Sequence, residues 1–393
     1  MWGPVTGLPA RLSIATMAGA CLRRLCETGP GCLTRPHRLL SQSCLEPVSW
    51  TVAKSEASPR NMTRHRLFAG SAKVADTVVQ LLQAGPPGAG PRILECNPGP
   101  GLITCALLNA GLQVVALESD LTFLPYLTTL KKHPGRQLEV IYCDFFHRDP
   151  SNITTPPPAM FTETLFKNLG ISKVPWAADV PVKIVGFFPT KTERTVLWKL
   201  LYDLYSCSSI YNYGRIELNM FISEKEYKKI ISKPGEKDYQ TLSVLWQTAC
   251  EIKLLHMEPL SSFVTFKNGE LTSLKSKELK NKHLCFIELT PRRNLFTNNL
   301  TPVNSYNFIC LVKQCLNKSK SKLIDIFNSW CICDTEDLLQ HLKKQKHERI
   351  GSLYPEEFKY LFEALESSET FTQKWLYDHS QQNEVAEKAQ RFH

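Results

Sequence analysis

The chain has 393 residues, of which 43% are hydrophobic, and a formal net charge of +10 at pH 7. This hydrophobic content supports a folded core and excludes a wholly disordered chain, and the length suits about two globular domains plus extensions. The positive charge favours an anionic partner, with nucleic acid as the first candidate and a merely basic soluble enzyme as the alternative. No apolar run approaches the roughly 18 residues of a membrane span.

The 14 cysteines give no sign of a metal site or a disulfide framework. None of them lies in a C-x-x-C pair, and Cys331 and Cys333 are too close for the usual zinc-ligand spacing. We therefore expect reduced thiols in a reducing compartment and no bound metal.

The N-terminal segment is typical of a targeting sequence. Residues 1–26 contain no acid, and Arg11, Arg23 and Arg24 lie among small and apolar residues. This pattern predicts a mitochondrial transit peptide over about residues 1–31, with a disordered basic leader as the alternative. Residues 32–62 are rich in Pro and Ser and are predicted to be a linker. We therefore expect a protein of the mitochondrial matrix.

A glycine-containing loop follows the first strong strand signal. The apolar run at Ile93 and Leu94 ends in Glu95 and is followed by the loop Cys-Asn-Pro-Gly-Pro-Gly and an apolar helical pattern. Gly99 and Gly101 allow the backbone to approach a ligand closely, and Asn97 tolerates a left-handed conformation. The pattern predicts a ligand crevice at the carboxyl end of a strand in a doubly wound α/β sheet, although an ordinary strand–helix turn is the alternative.

Two further acids follow the next two predicted strands. Glu118 ends the strand predicted over residues 113–117, near the offset expected of an acid that binds ribose hydroxyls, and Asp144 follows the strand 138–142. Carboxylates at neighbouring strand ends suit a nucleoside, whose hydroxyl and amino groups donate hydrogen bonds. The glycine spacing differs from the G-x-G-x-x-G of a NAD site, so we favour S-adenosylmethionine as the ligand.

These motifs resemble those of the rRNA adenine N6-dimethyltransferases, a family of class I methyltransferases. The family pattern E-x-G-P-G-x-G corresponds to Glu95 to Gly101, with Asn97 in place of the first glycine, followed by Glu118 and then Asp144. The resemblance implies a Rossmann-like S-adenosylmethionine-dependent methyltransferase sheet with a small C-terminal helical domain. It also implies that Glu118 binds the ribose of the cofactor and that Asp144 binds its adenine. The loop from Glu95 to Gly101, with Asn97, Gly99 and Gly101, would bind its methionine end.

A second family motif, Q-N-F-L, is only partly retained. Phe68 matches its aromatic position, whereas Ala69 replaces the leucine and the Gln-Asn pair is absent. The resemblance makes Ala69 a candidate cofactor contact. The alternative is that Phe68 simply packs on the sheet.

The motif that recognises the target base is altered. At the end of the strand predicted over residues 182–188 the family has G-N-L-P-Y or G-N-L-P-F, and this chain has Gly186, Phe187, Phe188, Pro189 and then threonine. A phenyl ring cannot accept a hydrogen bond from the adenine amine, and threonine cannot stack on a flipped-out base. We therefore expect adenine methylation to be lost or strongly reduced. In the opposite interpretation, Phe187 or Phe188 stacks on a base in a rearranged pocket.

The remaining pattern predicts a domain change near residue 298. Residues 63–298 are predicted to form the methyltransferase-like domain, with a loop over 150–167 and a helix over 241–255. Residues 299–378 are predicted to form a basic helical domain that binds nucleic acid, and residues 379–393 a disordered tail. Lys318, Lys320 and Lys322 alternate with small polar residues in a predicted flexible loop suited to phosphate contacts, or else simply to solvation.

Two functions from different classes follow from the resemblance. The sequences flanking the motifs resemble those of mitochondrial members, which implies a transcription initiation factor that joins the single-subunit mitochondrial RNA polymerase, with other initiation factors, and helps to melt promoter DNA. The alternative is an active dimethyltransferase of two adjacent adenosines in mitochondrial small-subunit rRNA. The altered fourth-strand motif favours the first function, and the two are compatible.

Overall fold

The computed structural model describes residues 66–82, 91–131, 137–150, 155–267, 269–274, 282–330 and 335–367. The predicted transit peptide (1–31), linker (32–62) and C-terminal tail (379–393) lie outside these residues. Within the described ranges, no helix is both long enough and apolar enough to cross a membrane.

Among the residues that the structure describes, ten strands form two sheets. In chain order they are β1 (Leu67–Ala69), β2 (Arg92–Cys96), β3 (Val114–Glu118), β4 (Leu138–Tyr142), β5 (Val182–Phe187), β6 (Glu217–Ser223), β7 (Cys250–Pro259), β8 (Phe263–Lys267), β9 (Glu270–Ser273) and β10 (His283–Pro291). The main sheet has seven strands in the order β4-β3-β2-β5-β6-β10-β7, and a small sheet has the order β1-β8-β9.

The main sheet is parallel from β4 to β6 and antiparallel at its other end. Strands β2, β3, β4, β5 and β6 run in one direction, while β10 is antiparallel to both β6 and β7. The chain builds outward from β2 to β4 and then returns to place β5 on the other side of β2. Ligands of doubly wound sheets bind at such a switch point, beyond the carboxyl ends of the strands. The predicted Rossmann-like methyltransferase architecture is confirmed.

Helices connect the strands and cover both faces of the sheet. In the described part of the chain, the α-helices before β10 are Ala72–Leu82, Leu102–Asn109, Leu124–Lys131, Thr162–Asn168, Glu193–Tyr205, Glu224–Ile231 and Thr241–Ala249. The last four helices are Ser305–Asn317, Leu323–Ser329, Thr335–His341 and Pro355–Ser367. Ser223 caps the helix that follows it, because its hydroxyl accepts a hydrogen bond from the amide of Glu226.

Two predicted elements were wrong. The helix predicted over residues 241–255 ends at Ala249, and Cys250–Pro259 is instead the edge strand β7. Pairing with β10 along its whole length stabilises this strand, and that pairing outweighs the local helical pattern. The loop predicted over residues 150–167 contains the start of the helix Thr162–Asn168, where the side chain of Asp149 accepts hydrogen bonds from the amide and hydroxyl of Thr162.

The C-terminal helices share a hydrophobic core with the sheet domain. Phe308 is fully buried and its ring lies 5.8 Å from that of Tyr205, between ring centroids. The hydroxyl of Tyr239 donates a hydrogen bond of 2.6 Å to the carbonyl of Leu353. The helices after residue 299 are therefore packed firmly on the methyltransferase-like part, while the boundary at residue 298 stays a prediction.

Candidate cofactor cleft and basic surface

The register of the parallel strands brings the predicted site residues to one edge of the sheet. Cys96 at the end of β2 lies opposite Leu117 of β3 on one side and Gly186 of β5 on the other. Glu118 and Asn97, which follow these paired positions, therefore meet at the switch point. The Oγ atom of Ser119 donates a hydrogen bond of 2.9 Å to Oδ1 of Asn97.

The loop after β2 adopts the backbone conformation that its residue types allow. Asn97, Gly99 and Gly101 have φ angles of 52°, 62° and 82°. The left-handed conformation predicted for Asn97 is confirmed. Gly101 is the N-cap of the helix Leu102–Asn109, so the free amides of that helix start at the same edge of the sheet.

Glu118 is completely buried, and both its oxygens are occupied by donors within the chain. Arg66 donates two parallel hydrogen bonds, from Nη1 to Oε1 at 2.7 Å and from Nη2 to Oε2 at 2.9 Å. The amide of Gly99 lies 2.8 Å from Oε2, and the amide of Asp120 lies 2.8 Å from Oε1. A ribose diol that used this carboxylate would have to replace the guanidinium. In this conformation, therefore, the Glu118 site does not fit a bound nucleoside.

Glu95 lies deeper in the same region. Its carboxylate accepts a hydrogen bond of 2.6 Å from the hydroxyl of Thr104, and the residue is 2% exposed. Burial raises the pKa of Glu95 to about 8, an effect that the Thr104 hydrogen bond only partly offsets and that the nearby Glu118 increases. The family's acidic position is thus retained as a carboxyl group that is mostly protonated at neutral pH.

Asp144 is also hydrogen-bonded within the chain. Its Oδ1 accepts from the amide of Phe146 at 2.9 Å, and its Oδ2 lies 2.7 Å from Nδ1 of His147. Burial acts most strongly and would raise the pKa of Asp144, but the hydrogen bonds from His147 and Phe146 outweigh it, so the pKa is lowered. The hydrogen bond to Asp144 raises the pKa of His147. Asp144 is therefore an anion that faces the cleft.

Ala69 and Phe68 are both buried. The side chain of Ala69 belongs to a hydrophobic cluster that includes Val74 and Phe263, and Phe68 packs against Phe123 with ring centroids 5.4 Å apart. The interpretation of Phe68 as a packing residue is supported. A cofactor contact at Ala69 stays a prediction.

A cavity of about 670 Å³ opens beside these residues and runs toward the loop after β5. At one end it is lined by Asn97, Ser119 and Phe146, and at the other end by Pro189 and Thr190. Its charged lining residues are Arg66, Asp144, His147, Arg148, Asp149, Lys191 and Lys199. Basic residues outnumber acidic ones, so the cavity suits an anionic ligand. Phe146 was not predicted from the sequence as a residue of this cavity. Its position two residues after Asp144 is the sequence feature that could have indicated it.

Two altered residues of the fourth-strand motif, Phe187 and Phe188, do not line this cavity, whereas Thr190 does. The ring of Phe187 is stacked on Phe221, with centroids 4.7 Å apart, and meets Phe263 edge-on at 5.7 Å. Phe188 is 3% exposed. The packing of both rings against internal neighbours argues against a stacking surface for a base, and the stacking role of Phe187 or Phe188 stays a prediction.

Gly186 is retained for a reason of packing. A Cβ atom at this position would lie 2.4 Å from Sγ and 2.7 Å from the carbonyl oxygen of Cys96 on the neighbouring strand. Any larger residue would therefore push β5 away from β2. The retention of Gly186 carries no information about catalysis.

Lys318, Lys320 and Lys322 are exposed on a loop that is held in place. The amide of Gly351 donates a hydrogen bond to the carbonyl of Ser319, and Lys322 forms a β-bridge with Arg349. The prediction of a flexible loop was wrong, because residues 348–351 fix its backbone. Arg349 is exposed as well, so the structure forms a basic surface of four side chains, Lys318, Lys320, Lys322 and Arg349. Its role in binding nucleic acid stays a prediction.

Comparison with known proteins identifies the family of this chain. The family model described as "Ribosomal RNA adenine dimethylase" matches residues 66–367. The human protein named "Dimethyladenosine transferase 2, mitochondrial" is 46% identical over 96% of this chain and 98% of its own, and the bovine protein of the same name is 44% identical with the same coverage. A crystal structure of a dimethyladenosine transferase from Plasmodium falciparum covers 76% of this chain and 96% of its own at 15% identity, with a TM-score of 0.50, and supports the fold.

The human protein named "Dimethyladenosine transferase 1, mitochondrial" is less similar, at 26% identity over 44% of this chain. The names of the full-length relatives support a mitochondrial location for this chain. The family model and these relatives together show that this chain belongs to the ribosomal RNA adenine dimethylase family, whose methyl donor is S-adenosylmethionine.

Proposed function

We propose that this protein is a mitochondrial transcription initiation factor built on a dimethyltransferase fold. It joins the single-subunit mitochondrial RNA polymerase, together with other initiation factors, and helps to melt promoter DNA and to hold the strands apart. Methyl transfer from S-adenosylmethionine is weak or absent in this role.

The observation that carries the proposal is the position of Phe187. This residue replaces the asparagine that accepts hydrogen bonds from the target adenine, and its ring is packed against Phe221 and Phe263. An amine without its acceptor in a closed pocket costs about 1–3 kcal/mol in binding. The base half of the methyltransferase site therefore lacks its main recognition group, while the fold that surrounded it is intact.

The charge distribution supports a nucleic-acid ligand. The cavity beside Asp144 is lined by Lys191 and Lys199, and Thr190 and Thr192 also line it. Cationic grooves that follow the phosphate backbone bind single strands without reading their sequence. The basic surface at Lys318, Lys320, Lys322 and Arg349 offers further phosphate contacts. Both features suit promoter DNA whose strands have been separated.

The test is promoter opening measured with 2-aminopurine placed near the start site. The purified protein and mitochondrial RNA polymerase are mixed with the labelled promoter, with and without an excess of S-adenosylhomocysteine. We expect a fluorescence rise that requires this protein and does not respond to S-adenosylhomocysteine. A promoter that stays closed in the presence of both proteins would exclude the proposed role.

The alternative is an active N6,N6-dimethyltransferase of two adjacent adenosines in mitochondrial small-subunit rRNA. It is favoured by the left-handed loop at Asn97, Gly99 and Gly101 and by the acids Glu118 and Asp144, which are all retained at the sheet edge. Transfer of labelled methyl groups to the corresponding rRNA hairpin measures this activity. Methylation of both adenosines in the absence of promoter opening would favour the enzyme.

A further inference from the structure

Strand β1 places two side chains in the space where a nucleoside cofactor would bind. Arg66 immediately precedes this strand and Phe68 lies at its centre. The guanidinium of Arg66 is hydrogen-bonded to the carboxylate of Glu118, and the ring of Phe68 covers the glycine loop at Gly99. Neither residue belongs to the glycine motif, and their effect on the cleft is independent of the proposed role in transcription.

The Arg66–Glu118 pair has the geometry of a strong ion pair. Two parallel N–H···O bonds of 2.7 and 2.9 Å join the two side chains, of which Glu118 is 0% and Arg66 14% exposed. Burial, the largest influence, would lower the pKa of Arg66, but the charge and hydrogen bonds of Glu118 outweigh it, so the pKa is raised. A ribose diol brings two neutral hydroxyl donors to the same two oxygens. The guanidinium brings two donors and a full positive charge. Because it belongs to the same chain, its binding to Glu118 does not depend on the concentration of a free ligand.

Phe68 closes the space over the loop. A Cβ atom added to Gly99 would lie 2.1 Å from Cε1 of Phe68, so the phenyl ring lies directly against the glycine backbone. A glycine at this position normally lets a ligand approach the chain. Here the ring of Phe68, rather than a ligand, lies against the backbone of Gly99.

The segment that carries both residues is held in register by the small sheet. Leu67, Phe68 and Ala69 pair with Thr265, Val264 and Phe263 of β8. The rings of Phe68, Phe123 and Phe266 form an edge-to-face series with centroid separations of 5.4 and 5.0 Å. The guanidinium of Arg66 lies 5.1 Å from the centroid of Phe68 and 5.7 Å from that of Phe123. Arg66 is therefore positioned by packing as well as by charge.

The end of the segment is fixed as well. The amide of Gly70 donates a hydrogen bond of 2.9 Å to the carbonyl of Ser262, and a Cβ atom at Gly70 would lie 2.7 Å from that oxygen. The close approach anchors β1 to the turn before β8. Moving Arg66 away from Glu118 thus requires either a change of its side-chain conformation or a displacement of β1.

We propose that Arg66 competes with S-adenosylmethionine for the carboxylate of Glu118, which would otherwise bind the ribose. Arg66 thereby lowers the affinity of the cleft for adenine nucleosides that carry a free 2′,3′-diol. The cofactor binds only to the fraction of molecules in which Arg66 has left Glu118, so its apparent affinity is reduced by that fraction. Arg66 is thus a specificity-determining residue of the cleft, and its removal uncovers a site that the fold still contains.

The test is calorimetric titration of the full chain with S-adenosylhomocysteine, which requires no catalysis. The variants are Arg66→Ala, which frees Glu118, and Arg66→Lys, which keeps the charge but loses the two parallel bonds. Arg194→Ala is the matched control, because Arg194 is an exposed arginine that donates a hydrogen bond to the side chain of Gln240. Thermal unfolding of each variant, with and without ligand, shows whether the protein is folded and whether the ligand stabilises it.

We expect Arg66→Ala to bind S-adenosylhomocysteine at least about tenfold more tightly than the unmodified protein, with Arg66→Lys between the two and Arg194→Ala unchanged. A second pair of probes isolates the diol. Adenosine should gain affinity in Arg66→Ala, whereas 2′,3′-dideoxyadenosine should not. A purely structural role for Arg66 would instead weaken the binding of both probes.

Unchanged or weaker binding of S-adenosylhomocysteine by a folded Arg66→Ala protein would overturn the proposal. If Arg66→Ala does not fold, Arg66→Lys decides, and equal affinity of this variant and the unmodified protein would overturn it too. A gain of equal size for adenosine and dideoxyadenosine would also contradict it, because the diol would then not compete with Arg66. None of these outcomes depends on promoter opening, so the two proposals fail separately.

Discussion

The ring of Phe187 lies almost parallel to that of Phe221, with 16° between the ring planes and 4.7 Å between the centroids. The residue at the base-recognition position of the family is thereby a partly buried side chain packed against a hydrophobic cluster that includes Phe221 and Phe263. Phe263 meets both rings edge-on, at 5.7 and 5.3 Å. The substitution therefore replaces a hydrogen-bonding amide with a ring that packs against apolar neighbours.

We predict that Phe187→Asn lowers stability without restoring methyl transfer. The variant removes the ring from its contacts with Phe221 and Phe263 and leaves a cavity and a polar amide among apolar side chains. The expected loss in the free energy of unfolding is about 3 kcal/mol, measured by urea denaturation. Phe187→Leu is the control and should lose less, about 1.5 kcal/mol.

Methyl transfer to the rRNA hairpin is measured on the same variants. Robust dimethylation by Phe187→Asn would contradict this prediction, because it would mean that the asparagine side chain reaches the cavity rather than the core.

We predict that Gly99→Ala is more destabilising than an alanine at an open glycine. Gly99 has φ 62°, and an added Cβ atom would lie 2.1 Å from the ring of Phe68. Gly111 has a similar φ of 78° with no atom within 4 Å of the added Cβ, so Gly111→Ala measures the backbone strain alone, about 1 kcal/mol. The excess loss in Gly99→Ala, measured by thermal or urea unfolding, is then the steric contribution of Phe68.

A double-mutant cycle isolates this contact. In the background of Phe68→Ala, the penalty of Gly99→Ala should fall toward that of Gly111→Ala, because the ring that it meets is gone. Equal penalties in both backgrounds would mean that Phe68 and the loop are not in contact in solution.

Sequence reasoning succeeded where the signal was local. The strand Leu138–Tyr142 was predicted with its observed bounds, and the left-handed backbone of Asn97 agrees with the tolerance of asparagine for that conformation. It failed where a structural feature depends on contacts between residues that are far apart in the sequence. The edge strand Cys250–Pro259 exists because it pairs with β10, and Arg66 reaches Glu118 across 52 residues of chain. No spacing rule connects an arginine before one strand with an acid after another, so the occupied carboxylate could be found only from coordinates.

We predict that Glu95 makes stability fall as the pH rises. Burial, its largest influence, raises the pKa of Glu95 from 4.5 to about 8, so the folded protein binds a proton that the unfolded chain has released between about pH 5 and pH 8. The free energy of unfolding should decline across this window by up to ~1.4 kcal/mol per pH unit from this group. The decline begins above the unfolded pKa and ends once the pH has passed the folded pKa.

Glu95→Gln is the matched variant, because glutamine keeps a carbonyl oxygen that can accept the hydrogen bond from Thr104. Urea unfolding at several pH values between 5 and 8 should show a flatter profile for Glu95→Gln than for the unmodified protein. Parallel profiles would assign the pH dependence to other groups and would mean that Glu95 is ionised in the folded protein.

The last prediction concerns the basic surface at Lys318, Lys320, Lys322 and Arg349. Changing the three lysines to alanine should weaken promoter binding and reduce the slope of log affinity against log salt by about 2–3, because each phosphate contact that is lost releases about one counterion fewer. The fold should be unaffected, since all three side chains are exposed and their backbone is held by residues 348–351. Fluorescence anisotropy over a series of salt concentrations measures both quantities. The control changes three exposed lysines elsewhere, Lys73, Lys225 and Lys237, and lowers the net charge equally. If the two triple variants lose the same affinity and slope, the effect is one of overall charge and this surface is not the binding site.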